Sequence, residues 1–140
     1  HVLYLGRGAA YPVALEGALK LKETSYVDAN GYAAGELKHG PIALVDERFF
    51  AVFVLSDDEL LPKSLSNLSE INARGGRVVA LTNAKKSIDA TDVLRIDTEL
   101  ELLAPLVLNV ASQLFAYFTA VARGRDVDQP RNLAKSVTVE

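Results

Sequence analysis

The sequence predicts an α/β domain in which a parallel sheet is flanked by helices. Three observations carry that expectation. Residues 2–5 and 49–55 are short, continuously apolar runs, the pattern of strands buried on both faces. Between the strand signals lie longer stretches with apolar residues at helical spacing. The two kinds of segment alternate along the chain, which favours parallel strands joined by right-handed crossovers.

Each element has its own justification. Residues 2–5 form the first strand and end at Gly6-Arg7-Gly8, a strand-to-helix turn. Residues 11–27 form a helix, with Pro12 in its first turn, where a missing N–H is tolerated. Residues 31–39 are mixed, with a short helix over 33–38 stopped by Gly40-Pro41. Residues 49–55 give the clearest strand. Ser56-Asp57-Asp58-Glu59 then fits a capping box with Ser56 as N-cap. Leu60, Leu61, Leu65, Leu68 and Ile71 follow at helical spacing, and Gly75-Gly76 ends that helix. Residues 77–81 and 93–97 are the third and fourth strands. Residues 99–122 form a long helix, with Leu103, Val107, Val110, Leu114, Tyr117 and Val121 expected on its core face. From residue 124 the chain loses periodicity. The division expected is a domain over 1–123 and an irregular tail over 124–140.

Composition narrows the function. The chain has 140 residues, 49% of them apolar and 24% charged, which suits one folded domain. The net charge of -3 argues against a nucleic-acid partner. The absence of Cys excludes disulfides, thiolate zinc sites and a cysteine nucleophile within these residues. Two histidines, His1 and His39, give no basis for a His-rich metal site. The longest uninterrupted apolar run is seven residues, against about 20 for a membrane span, so no membrane is expected. The chain starts with His and has no Met, as an excised part of a longer protein would.

Four positions could carry chemistry, and each also has a plainer reading. Gly6-Arg7-Gly8 is half of a phosphate-binding fingerprint, or simply a tight turn. Lys20 and Glu23 lie one helical turn apart, as an exposed ion pair or as a carboxylate base with a cation beside it. His39 is the one internal histidine, suited to binding a carbonyl or to moving a proton. Lys135 is a solvated tail lysine, or an amine able to form a Schiff base with a ketone. In an open parallel sheet, ligands sit outside the carboxyl ends of the strands, so the residues following strands are the first suspects.

Three segments taken together add a resemblance. Leu5-Gly6-Arg7-Gly8 with Tyr11-Pro12, Ala14-Leu15-Glu16-Gly17-Ala18-Leu19-Lys20-Leu21-Lys22-Glu23, and Ala34-Gly35-Glu36-Leu37-Lys38-His39-Gly40-Pro41 resemble the carboxyl-terminal isomerase half of the glucosamine-6-phosphate synthase family. Residues 126–140 are similar to that family's carboxyl terminus. Asp28-Ala29-Asn30-Gly31-Tyr32 departs from a family pattern closer to His-Ala-Glu-Ala-Tyr, and residues 82–100 diverge. The resemblance implies a sugar-isomerase (SIS) fold, a three-layer sandwich, and an enzyme that makes glucosamine 6-phosphate from fructose 6-phosphate and glutamine. It implies Glu23 as the base between C1 and C2, Lys20 as its assistant, and His39 as the ring-opening group, reaching a neighbouring subunit's site. Lys135 is implied as the Schiff-base lysine, with Ala134 beside it in the substrate-binding tail. It further implies a cytoplasmic homodimer with no cofactor and no metal, whose glutaminase domain and first SIS half lie beyond this chain. The chain alone is expected to be inactive. The competing expectations are an amino-sugar-phosphate isomerase or deglycase of the same fold, and a sugar-phosphate-sensing module of a regulator.

Overall fold

A computed structural model describes residues 1–98 and 100–133. Its five strands are β1 (Val2–Gly6), β2 (Ala29–Ala33), β3 (Phe50–Leu55), β4 (Arg77–Thr82) and β5 (Asp92–Arg95). They form one sheet in the order β2-β1-β3-β4-β5, and every pair is parallel. Alternate side chains point to opposite faces, so the central strands feed two cores. Leu5, Phe53 and Ala80 meet the helix α2 (Leu61–Asn72) through Leu61, Leu68 and Ile71. Tyr4, Val52 and Leu81 meet α1 (Ala10–Ser25) and α3 (Ala104–Ala122) on the other face. The result is the expected three-layer α/β sandwich. The described part of the tail, residues 124–133, holds turns but no helix or strand.

Three local expectations need correction. The first is β2, which the sequence did not reveal. Ala-Asn-Gly-Tyr-Ala has no apolar run because β2 lies at the sheet edge, where only Ala29 is buried. Gly31 fits there because a Cβ would lie 2.9 Å from the Leu15 Cα of α1. The second is the capping box. Helix α2 begins at Leu61, and no side chain caps it. Asp58 Oδ1 instead accepts the Leu60 N–H at 2.8 Å, and Asn83 Oδ1 accepts the Asp57 N–H at 2.8 Å. Ser56 is buried at the end of β3. The acidic run is spent on a turn, and the helix starts later, with Pro62 in its first turn.

The third correction concerns α3. Its core face is Ala104, Leu108, Ser112, Ala116 and Ala120, a stripe spaced by four. Val110, Leu114, Tyr117 and Val121, expected inside, are about half exposed, and Leu106 and Phe118 join them outside. Small residues face in because α3 packs on another small stripe, Ala10, Ala14 and Ala18 of α1, with Gly17 beside it. Two stripes spaced by four interdigitate as ridges and grooves. Ser25 Oγ donates to the Ala116 carbonyl at 3.2 Å, and Arg123 Nε donates to the Ser25 carbonyl at 3.2 Å. Beneath them Tyr4 is fully buried, and burial pushes its phenol well above the ordinary range, the Ser112 hydroxyl opposing the shift. Residues Glu101–Ala122 also have the length and mean hydropathy (1.5) of a membrane span, which a search for uninterrupted apolar runs does not register. In this fold one face of that helix lies on α1.

Gly17 tests the contact directly. A Cβ there would stand 2.6 Å from Tyr4 Cε1 and against Ser112 Oγ. Gly17→Ala is expected to destabilise the domain by about 1–3 kcal/mol through overpacking. The urea midpoint reads this, and an unchanged midpoint would mean that the two helices have slack.

Candidate functional site

The last two turns of α1 carry the pair singled out in the sequence. Lys20 Nζ donates to Glu23 Oε2 at 2.7 Å and lies 3.7 Å from Glu16 Oε1. The spacings of three and four put all three groups on one stripe. Glu23 is the less exposed partner, at 27% of its side chain. The hydrogen bond to Glu23 holds the Lys20 ammonium above its ordinary pKa, partial burial opposes it, and the Glu23 and Glu16 charges add to it.

Topology fixes where this pair sits. Helix α1 leaves the carboxyl end of β1 and runs back across the sheet. Glu23 is thirteen residues past Ala10, about 20 Å along the axis at 1.5 Å per residue. It therefore stands near the amino edge of the sheet, beside the Val27-Asp28 connection that leads into β2. An open concavity of about 530 Å³ lies there, lined by Glu23, Lys22 and Tyr26 of the α1 end and by Arg131, Asn132 and Leu133 of the tail. The Arg131 N–H donates to the Tyr26 hydroxyl at 2.9 Å, which brings the tail back to the helix.

The other expected residues fall elsewhere. His39 is exposed just after the short turn Ala34–Lys38, which follows the carboxyl end of β2. It lies toward the opposite edge of the sheet from Glu23. Ala134 and Lys135 lie outside the described residues. Gly6-Arg7-Gly8 takes its plainer reading as a turn. Gly8 has φ +53°, and a Cβ on Gly6 would stand 2.6 Å from the Ala10 carbonyl carbon. Arg7 Nη2 and Nε both donate to Asn67 Oδ1, at 2.9 and 3.2 Å, tying the turn to α2. Among the described residues no group of three acidic or histidine side chains could hold a metal ion. The sequence reading missed Tyr26 as a site residue. The helix expected over 11–27 took Tyr26 inside it, whereas α1 ends at Ser25 and Tyr26 takes the left-handed place after it, where Gly or Asn is usual, so the sequence carried no signal for it.

Fold and pocket define a doubly wound α/β domain with a carboxylate–lysine pair at the amino edge of its sheet. The SIS domain profile matches residues 1–123, and the chain belongs to the SIS domain family. The glutamine–fructose-6-phosphate aminotransferase (isomerizing) of Brucella abortus is 55% identical over 144 residues, an alignment covering 100% of this chain and 24% of that protein. The chain thus spans about a quarter of the length of the curated relatives it matches, and it is homologous to their isomerase part. Among solved structures, the carboxyl-terminal domain of the Francisella tularensis glucosamine–fructose-6-phosphate aminotransferase has a TM-score of 0.85 and 47% identity, covering 92% of this chain and 37% of that one. A putative phosphosugar isomerase of Silicibacter pomeroyi has a TM-score of 0.79 and 30% identity, covering 91% of this chain and 38% of that one.

The raised Lys20 pKa gives a signed prediction. A raised folded pKa means a stabilising contribution that is complete below the unfolded value, 10.5, and is lost as pH rises through the folded value. Lys20→Met is expected to cost about 0.5 kcal/mol at pH 7, the size of a part-exposed helical pair. The difference in urea midpoint between wild type and variant should shrink above pH 10.5. A difference independent of pH would mean that the lysine acts through packing alone.

Proposed function

We propose that this chain is the carboxyl-terminal sugar-isomerase half of a glutamine–fructose-6-phosphate aminotransferase. It binds fructose 6-phosphate and carries out the ketose-to-aldose step that yields glucosamine 6-phosphate. The observation that carries the reading is the meeting of Glu23, which accepts a hydrogen bond from Lys20, and the tail in one concavity, in a chain 55% identical to such an enzyme.

The chemistry assigns each group a task. The cyclic ketose is opened by proton transfer, the work given to His39. The Lys135 amine attacks the C2 carbonyl of the open sugar and water leaves, giving a Schiff base. Lys135 follows Leu133, which lines the pocket, by two positions in the sequence. Ammonia derived from glutamine displaces the lysine at C2. Glu23 then takes a proton from C1 and returns one to C2, while the C1 hydroxyl proton passes to the C2 nitrogen, so that the imine becomes an amine and C1 an aldehyde. The Lys20 ammonium, 2.7 Å from Glu23 Oε2, holds that carboxylate in place. None of these steps calls for a metal or an organic cofactor.

Two features support the partners in this reading. His39 lies toward the edge of the sheet opposite Glu23, so it suits a neighbouring subunit's pocket better than its own, as in a homodimer. The outer face of α3 presents Leu106, Val110, Leu114 and Phe118 to solvent. An apolar face of this kind is typically covered. The first SIS half is the assigned occupant, because this chain accounts for only 37% of the matched Francisella carboxyl-terminal domain. The reading assigns the glutaminase domain that releases ammonia to the remainder of the full-length protein, and the enzyme to the cytoplasm.

In the full-length protein, Glu23→Gln is expected to lower conversion of fructose 6-phosphate to glucose 6-phosphate by about 10²–10⁴-fold, the usual worth of a general base. Sugar binding should survive, as equilibrium dialysis would register. Persistent isomerisation would move the base elsewhere. The 140-residue chain by itself should form no glucosamine 6-phosphate. Product formation by it would contradict the need for the other domains.

A further inference from the structure

The geometry points to Tyr26 as a latch that holds the carboxyl-terminal tail against the end of α1, and so as a positioning residue for the pocket beside Glu23. The functional part of this inference rests on the isomerase reading above; the latch itself rests on four contacts and torsions.

Tyr26 closes α1 in the left-handed conformation, φ 54° and ψ 37°, with its N–H donating to the Lys22 carbonyl. Glycine or asparagine usually fills this place, because a Cβ is crowded there. A tyrosine held there is a strained residue, of the kind that persists where its side chain is needed. Its hydroxyl accepts the Arg131 N–H at 2.9 Å. The Arg131 guanidinium stands 4.2 Å from the centre of its ring, and that of Arg125 stands 5.4 Å away. Both distances are within the range of cation–π attraction. Among the described residues the only other non-glycine with positive φ is Asn132, at 62°, directly after Arg131. Tyr26 and Asn132, the latter a residue type at ease in this conformation, thus both stand at one contact and line one concavity.

The intervening chain is built to return. The Arg125 N–H donates to the Ala120 carbonyl, fixing the exit from α3. Asp126 Oδ1 accepts the N–H groups of Asp128 and Gln129, at 2.9 and 3.1 Å, which turns the chain. One aromatic ring thus receives two cations and one backbone N–H from a loop that leads straight to Ala134 and Lys135. Glu23 is three residues before that ring on the same helix. The latch sets where Arg131, Asn132 and Leu133 stand relative to the proposed base.

A preformed tail spares substrate the task of ordering it. If only a fraction of molecules hold the tail in place, apparent affinity falls by that fraction. In the full-length protein, Tyr26→Leu is expected to speed amide exchange across residues 125–133 by about tenfold and to raise KM for fructose 6-phosphate by a similar factor. The value of kcat should stay within about threefold, because saturating substrate restores the ordered state. Tyr26→Phe keeps the ring but loses the hydroxyl, so exchange should rise mainly at Arg131 and KM should rise less. Arg131→Gln, which leaves helix α1 untouched, removes one of the two cations and keeps the backbone N–H bond, so exchange and KM should rise in the same direction by less, and it serves if Tyr26→Leu fails to fold. Unchanged exchange over 125–133 in both would overturn the latch, whatever the activity. Faster exchange with unchanged KM would overturn its role in positioning. A wild-type protein that holds the tail but does not isomerise fructose 6-phosphate would overturn the isomerase reading, and with it that role, leaving the contact alone.

Discussion

Helices α1 and α3 approach so closely that Gly17 has no room for a Cβ between Tyr4 and Ser112, and the position of the pocket follows from that contact. Alanines on both helices let the backbones meet, and the Ser25 hydroxyl ties the end of α1 to the middle of α3. This fixes the last turns of α1, which carry Lys20, Glu23 and Tyr26. It also fixes the exit of α3, because Arg123 returns to the Ser25 carbonyl. The tail starts where α3 ends. One helix pair therefore sets both walls of the concavity before any substrate arrives.

The sheet's polarity gives this pocket an uncommon place. Ligands of open α/β sheets usually bind at the carboxyl ends of the strands, where helix amino termini point N–H groups at anions. Glu23 and the tail lie near the amino edge, at a helix carboxyl end, where the exposed carbonyls favour cations. Lys20 and Lys22 suit that field; a phosphate does not. Under the proposed function this divides the labour, with proton transfer assigned to this edge and the sugar phosphate assigned to another part of the protein. At the carboxyl edge, Gly6-Arg7-Gly8 is committed to turn geometry and to the Arg7–Asn67 bonds.

Much of this was legible in the sequence, and the failures have physical causes. The central strands announced themselves because burial on both faces demands continuous apolarity; β2, at the edge, needed only Ala29 inside. Spacing alone put Lys20 and Glu23 together, since three residues on a helix fix their geometry. It could not join Tyr26 to Arg131, which are 105 residues apart. The acidic run after β3 satisfied a capping pattern, yet turn bonds to Asp58 and Asn83 claimed it first. The family resemblance supplied the roles of His39 and Lys135, which no local pattern in this chain could have supplied.

The misassigned face of α3 has the most general cause. Periodicity finds a stripe of large apolar residues and assumes that it faces the core. Here the helix has two apolar stripes. The small one is buried inside the domain because close helix contact needs small side chains, and the large one is left outside. A stripe of Leu, Val, Tyr and Phe on the outside is a sign that the domain is not the whole unit of packing. The edge-to-face pair of Tyr117 and Phe118, with ring centres 5.3 Å apart, belongs to that outer stripe. Hydrophobic patterning on α3 thus carries two stripes at once, and only the one of Ala104, Leu108, Ser112, Ala116 and Ala120 is buried in this fold.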